Sequence, residues 1–326
     1  MPSSLLYLSR RLLVMVPLLC GIALLVFILM HLAPGDPIHI MLGGAVHVTD
    51  EVIQSIRERY GLDQPVLVQF WHWVVRLVRG DLGFSYISNQ SVVDIIGARF
   101  GETLRLMLTA QVLAITLAIP MGVLAAVRHR SWADTITSGV SLFGYSMPGF
   151  WLGLVLIWVF SLTLGLVPSS GARTVGVDFA TPWAVLVDQL RHMILPVTVL
   201  ALNQSTFLFR LTRSSMLDVL KQDYVRTARA KGLNERVVIY RHGLRNAMLP
   251  LTTVVGLNLG YVLSGAVLVE TVFAWPGIGR LTVAMALQRD YPTLMGIYML
   301  LAVSMLVATL VTDVVYVLLD PRVKLR

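Results

Sequence analysis

The chain has 326 residues, of which 56% are hydrophobic and 13% charged, with a formal net charge of +8 and a mean hydropathy of +0.75. That mixture excludes an ordinary water-soluble domain and points to an all-α membrane protein with several spans.

Crossing the hydrocarbon core takes about 20 apolar helical residues. The first such run is Leu12–Leu32, behind Arg10 and Arg11. It starts like a signal peptide but is too long and lacks a convincing small-residue cleavage site, so it reads as an uncleaved anchor. The single cysteine, Cys20, lies inside it, which rules out an intramolecular disulfide and a cysteine-based metal site. In the segment 33–101, Asp50 is placed to cap a short helix over Glu51–Tyr60 and Gly61 to end it. Val66–Val78 is aromatic and apolar but too short to cross, so it is expected to lie at the membrane's outer interface, with a lid or a docking surface for an external partner as the functional alternative.

Five further runs follow, near Leu104–Val127, Ile136–Val167, Met193–Phe209, Leu249–Phe273 and Leu294–Leu319. About six transmembrane helices are therefore expected, divided into residues 1–97 (first span plus external segment) and 98–326 (a five-span core). Pro120, Pro148 and Pro196 predict kinks. The pairs Gly149/Gly153 and Gly256/Gly260 predict close helix packing.

Orientation follows from basic residues, which concentrate in cytoplasmic loops. With six spans, sixteen Lys and Arg fall on the side of the termini and four in the short loops opposite. Both termini are thus expected in the cytoplasm and the segment 33–101 outside. This bias accounts for the net charge without any nucleic-acid partner.

The longest cytoplasmic stretch, roughly 211–249, is polar but patterned for helices. Asp223 is placed to cap a helix over Tyr224–Lys231, with Gly232 at its end. Asn234 is placed to cap a second helix, with Leu233 as a hydrophobic staple against Val238. Two short helices meeting at Gly232 make a compact knob.

The stretch Asp223-Tyr-Val-Arg-Thr-Ala-Arg-Ala-Lys-Gly232, with Pro250 eighteen residues after the glycine, resembles the EAA loop of ABC importer permeases. Arg226-Thr227-Ala228 stands where that family nominally has Glu-Ala-Ala, a variant common in its peptide branch. His31-Leu-Ala-Pro-Gly-Asp-Pro37, Tyr145-Ser-Met-Pro148 and Phe273-Ala-Trp-Pro-Gly-Ile-Gly279 point to the same branch and spread the likeness over most of the chain. The sequence is similar to the first permease subunit of dipeptide and oligopeptide importers.

That resemblance implies the type I ABC importer permease fold in the bacterial inner membrane. It also implies a second homologous permease, two cytoplasmic ATPase subunits and an extracytoplasmic solute-binding protein. The residues it assigns to coupling are Tyr224, Arg226, Thr227, Ala228, Ala230, Lys231, Gly232, Leu233 and Pro250. No cofactor is expected on this chain. ATP and Mg belong to the partner ATPases, since none of the three lysines, Lys221, Lys231 and Lys324, lies in a phosphate-binding loop.

Polar residues inside spans are costly enough to suggest use. Gln111, Asn203, Gln204, Asn258 and Glu270 are therefore candidates for a translocation pathway, each against the alternative of an interhelical hydrogen bond. Asp313 near the end of the last span has no assigned role. A secondary transporter would call for inverted repeats and a charged midplane relay, and an intramembrane enzyme for H-E-x-x-H, G-x-S-x-G or paired acids; the sequence has none of these. Nickel, glutathione or another small solute remains an alternative cargo to peptide.

Overall fold

The computed structural model describes residues 2–33, 38, 49–262 and 266–319. These form helices joined by connections that include the longer segments 79–91 and 164–181, plus one isolated bridge between Phe84 and Ser91. In chain order they are α1 (Pro2–Leu32), α2 (Asp50–Tyr60), α3 (Val66–Val78), α4 (Val92–Val127), α5 (Trp132–Ser146) and α6 (Gly149–Leu156), the last continued by a π-helical turn over Ile157–Thr163. There follow α7 (Pro182–Val219), α8 (Asp223–Ala230), α9 (Glu235–Val237), a π-helical stretch Val238–Leu244, α10 (Arg245–Val262), α11 (Val267–Val272), α12 (Ile278–Gln288) and α13 (Tyr291–Leu319).

Among the described residues four helices are long and apolar enough to span a membrane: Leu13–Leu32 of α1, α4, α7 and Tyr291–Thr312 of α13. A fifth span arises if α5 and α6 are taken as one bent crossing. The expected run Leu249–Phe273 is divided between α10 and α11, and residues 263–265 lie outside the described part. So do Pro34–Pro37 of the first motif, the basic C-terminal residues Arg322, Lys324 and Arg326, and the side chain of Asp313.

Two helices overrun their apolar cores. α4 starts twelve residues before the expected span, because Val92 and Ile96 are buried there. α7 starts at Pro182, whose missing N–H costs nothing in a first turn, and Thr181 caps it by accepting from Ala184 N–H at 3.2 Å. Of the three prolines expected to kink, Pro120 and Pro196 lie inside continuous helices and only Pro148 breaks one. Met147 before it is extended, as the ring demands.

Two compact units partition the chain. One comprises Met1–Gly101 with Leu281–Leu306, the other Glu102–Arg280 with Val307–Arg326. The first has a core of Ala23, Val26 and Phe27 from α1, Trp73 from α3, and Met295 and Met299 from α13. Phe27 meets Phe70 edge-on, with ring centroids 5.2 Å apart. Asp290, fully buried, accepts from the hydroxyls of Ser85 and Thr293 and from Tyr86 N–H, which ties the segment around Phe84 to the start of α13.

In the second unit, small residues set the helix crossings. A Cβ on Gly122 would overlap Thr212 of α7, one on Gly149 would overlap Asn203, and one on Gly153 would crowd Phe273. Gly256 packs against Thr312, while its companion Gly260 lies beyond the packing described.

Candidate functional site: the helical knob at Gly232

The knob begins where α7 ends. α8 covers Asp223–Ala230, one residue earlier than expected, so Gln222 holds the cap position and Asp223 becomes the first helical residue. Asp223 still favours the positive end of the helix dipole from there. At the far end, Gly232 takes φ +72°, its N–H bonding Arg229 O at 2.9 Å while Leu233 N–H bonds Ala228 O at 3.4 Å. This paired closure requires the left-handed conformation that glycine adopts without strain. Gly61 ends α2 with the same pair of bonds at φ +64°.

Asn234 caps the next turn by accepting from Arg236 N–H at 2.9 Å. Across the glycine, the Arg229 guanidinium reaches both oxygens of Glu235, the shortest contact being 2.7 Å. That hydrogen bond, and then the charge behind it, hold the Glu235 carboxyl below its ordinary range. The Arg229–Glu235 pair thus bridges the chain on either side of Gly232.

The knob has a small core of its own: Val225 and Val238 are fully buried and Ala228 nearly so, against Val219 and Leu220. Leu233, expected as a staple on Val238, is instead 41% exposed; Val238 is already covered by Val225 and Ala228. A second cluster joins the knob's base to three long helices, through Val123 and Ala126 of α4, Met216 of α7, Ile239 of the π-helical stretch and Ala247 of α10. Tyr224 accepts from Asn246 Nδ2 at 3.0 Å, a further link between α8 and α10.

The residues assigned to coupling therefore divide. Tyr224, Arg226, Thr227, Ala230, Lys231, Gly232 and Leu233 are exposed on α8 and its closure, and Pro250 is exposed on α10. Ala228 is buried and serves the knob's interior, because it lies on the face of α8 turned to Val238.

Sequence reasoning missed a tie one turn away. Asp134, at the start of α5, accepts two hydrogen bonds from Arg213 of α7, at 2.7 and 2.8 Å, and one from Arg130 N–H at 3.0 Å. His129 lies 3.2 Å from both the Asp134 carboxylate and the Arg213 guanidinium. The only local signal was Ser131 three residues before Asp134, a capping pattern, and Ser131 does accept from Asp134 N–H at 3.4 Å.

The polar candidates for a pathway are scattered. Asn203 donates to Val199 O at 3.1 Å along its own helix and backs onto Gly149. Gln204 and Asn258 are half-buried. Gln111 is 3% exposed, and neither atom of its amide has a hydrogen-bond partner among the described residues. Glu270 meets the alternative reading, that of an internal hydrogen bond, in this structure. It is fully buried, its carboxylate accepts from Thr103 Oγ1 at 3.2 Å and Arg280 N–H at 2.9 Å, and it has no surface to offer a solute in this structure. It anchors the motif Phe273–Gly279, where Trp275 donates from Nε1 to Glu102 O at 3.1 Å and Gly277 leaves no room for a Cβ beside the carboxylate.

Known proteins resemble this chain along its whole length. It is 43% identical over 319 residues to the oligopeptide transport system permease protein AppB of Bacillus subtilis, covering 98% of this chain and 99% of that one. It is 39% identical over 320 residues to the glutathione transport system permease protein GsiC of Escherichia coli K12, with the same coverage. Among solved structures, a chain of the MetNI methionine ABC transporter in an inward-facing conformation matches with a TM-score of 0.56 at 14% identity, over 69% of this chain and 96% of that one; this likeness concerns the fold. Residues 4–107 match the N-terminal component of binding-protein-dependent transport system membrane proteins. Residues 118–325 match the binding-protein-dependent transport system inner membrane component, and the chain belongs to that family.

Proposed function

We propose that this chain is one of two non-identical permease subunits in an importer that carries di- and oligopeptides into the cytoplasm, with both termini and the knob on the cytoplasmic side. Membership of the family makes it a multi-pass inner-membrane permease that works with an ATPase and a solute-binding protein. The second permease, the pair of ATPases and the peptide cargo are the parts that this reading adds. ATP and Mg are held by the ATPases, and this chain binds no cofactor.

The observation that carries the coupling mechanism is the knob's construction. An exposed face of Tyr224, Arg226, Thr227, Ala230, Lys231 and Leu233 sits on a base shared with α4, α7 and α10. A rigid body docked in a cleft of an ATPase transmits the closure of that cleft to those three helices and alternates the pathway between inward-open and outward-open. Asp134 and Arg213 extend the same connection to α5.

Glutathione is the second cargo reading, favoured by the relatives named for it at 39–40% identity. Both cargoes are short peptidic acids. Copurification from the native host decides the assembly: a homologous permease and two ATPases should accompany the tagged chain. Uptake into proteoliposomes, driven by ATP and supplied with the binding protein encoded nearby, then ranks oligopeptides against glutathione. Full transport by a homo-oligomer without ATP would remove this reading in favour of a secondary transporter.

A further inference from the structure

Within the unit Met1–Gly101 and Leu281–Leu306 lies a cavity of about 1030 Å³, bordered by α1, α2, α3 and the start of α13. Its size is that of a site for a small organic molecule. Phe27 and Trp73 supply apolar wall, while Gln64, His72 and Arg76 supply polar groups. His72 and Arg76 are four residues apart on α3 and share a face. Neither side chain makes a hydrogen bond or ion pair with another described residue. Gln64 Oε1 is buried without a hydrogen-bond partner among them. Glu58, the only carboxylate among the described lining residues, accepts from Gln54 Nε2 at 3.1 Å.

His72 and Arg76 are exposed at the cavity, and the lining offers complements to a peptide terminus. A guanidinium fork fits a carboxylate, two bonds at a time. A buried amide oxygen without a partner asks for an N–H. Aromatic wall takes up an apolar side chain. We propose that this cavity binds the carboxyl-terminal end of a short peptide, with Arg76 on the carboxylate, Gln64 accepting from a peptide N–H and the aromatic wall receiving a side chain. The assignment rests on the peptide reading above and on the outward placement of residues 33–101. Solute released by the binding protein then meets a holding site on this chain before it enters the membrane.

The probe is a tripeptide carrying a photoreactive diazirine leucine, as the free acid and as the carboxyl amide. It is applied to the whole importer in phosphatidylcholine nanodiscs without binding protein, and labelled residues are mapped by mass spectrometry. The free acid should label α3 and its surroundings saturably, and the amide about tenfold more weakly, the order lost with one charged hydrogen bond. Arg76→Ala should bring the acid down to the amide. Arg76→Lys should restore part of the difference, and Gln64→Leu should weaken both forms alike. Equal labelling by acid and amide, or label spread evenly over the chain, would overturn the site. Loss of acid labelling on adding phosphatidylglycerol would give the cavity to anionic lipid instead. Uptake of the same free acid into proteoliposomes with binding protein separates the two readings. Uptake without α3 labelling defeats the cavity alone, and no uptake of any peptide defeats the peptide reading beneath it.

Discussion

The knob at Gly232 and the turn at Glu270 are both short motif-bearing segments of the same unit, and they are built in opposite ways. The knob buries three small apolar residues and leaves its polar ones in the open. The Glu270 turn buries a carboxylate, an indole and two glycines, and pairs the polar atoms with neighbours 167 to 173 residues away in the chain. A segment with satisfied, inaccessible polar groups holds a structure together. A segment with a buried apolar frame and an exposed polar face has the form the proposed docking role needs. Exposure, which a motif does not record, separates the two uses.

The largest test of that contrast is Glu270→Ala. It strands the Arg280 N–H and Thr103 Oγ1, at about 1–3 kcal/mol for each buried group left unpaired, and opens a cavity as well. The variant should lose most of its monodisperse material in detergent. If it melted like the parent, the turn would not be the anchor described here. Next comes Asp134→Ala, which leaves the half-buried Arg213 with no counter-charge, at a cost of about 1–3 kcal/mol. A fall in melting temperature that the double variant Asp134→Ala/Arg213→Leu partly reverses would identify the stranded charge as the cause.

On the knob, the effects should be functional before they are structural. Gly232→Pro forces φ to about −65° where +72° is needed and removes the N–H that bonds Arg229 O. The protein should insert in the membrane and assemble, yet lose substrate-stimulated ATP hydrolysis. Normal coupling in this variant would sink the docking role. Gly232→Ala meets no neighbour within 4 Å, so it should pay only the left-handed backbone cost of about 1–2 kcal/mol and keep part of the activity.

What the sequence made legible was local. Gly61 and Gly232 close helices as their spacing indicates, and Asn234 caps as expected, because each signal acts within a few residues. The long reach of α4 and α7 was hidden, since apolar runs mark membrane thickness and say nothing of helix that continues past it. All three prolines carry the same local signal, yet Pro120 and Pro196 lie in unbroken helices and Pro148 breaks one. The Asp134–Arg213 pair spans 79 residues of chain, and no periodicity reports a contact of that separation. Glu270 looked like a pathway residue because an acid in a span is costly. The turn that satisfies it is visible only once Thr103 is seen beside it.

The smallest effect belongs to the clamp across Gly232. Arg229 and Glu235 are both about half exposed, so their pair contributes less than about 1 kcal/mol after solvent screening. Because the folded Glu235 carboxyl titrates below its unfolded value, this contribution is fully present above the ordinary carboxylate range and is lost as pH falls through the lowered folded value. Hydrogen exchange at the amides of residues 232–237 reads it directly, as the ratio of rates between Glu235→Gln and the parent at each pH. The ratio should exceed one and stay level between pH 6 and 8, then fall toward one in acid. A ratio that changed across neutral pH would assign the clamp to another titrating group, and a ratio of one throughout would leave Gly232 held by its backbone closure alone.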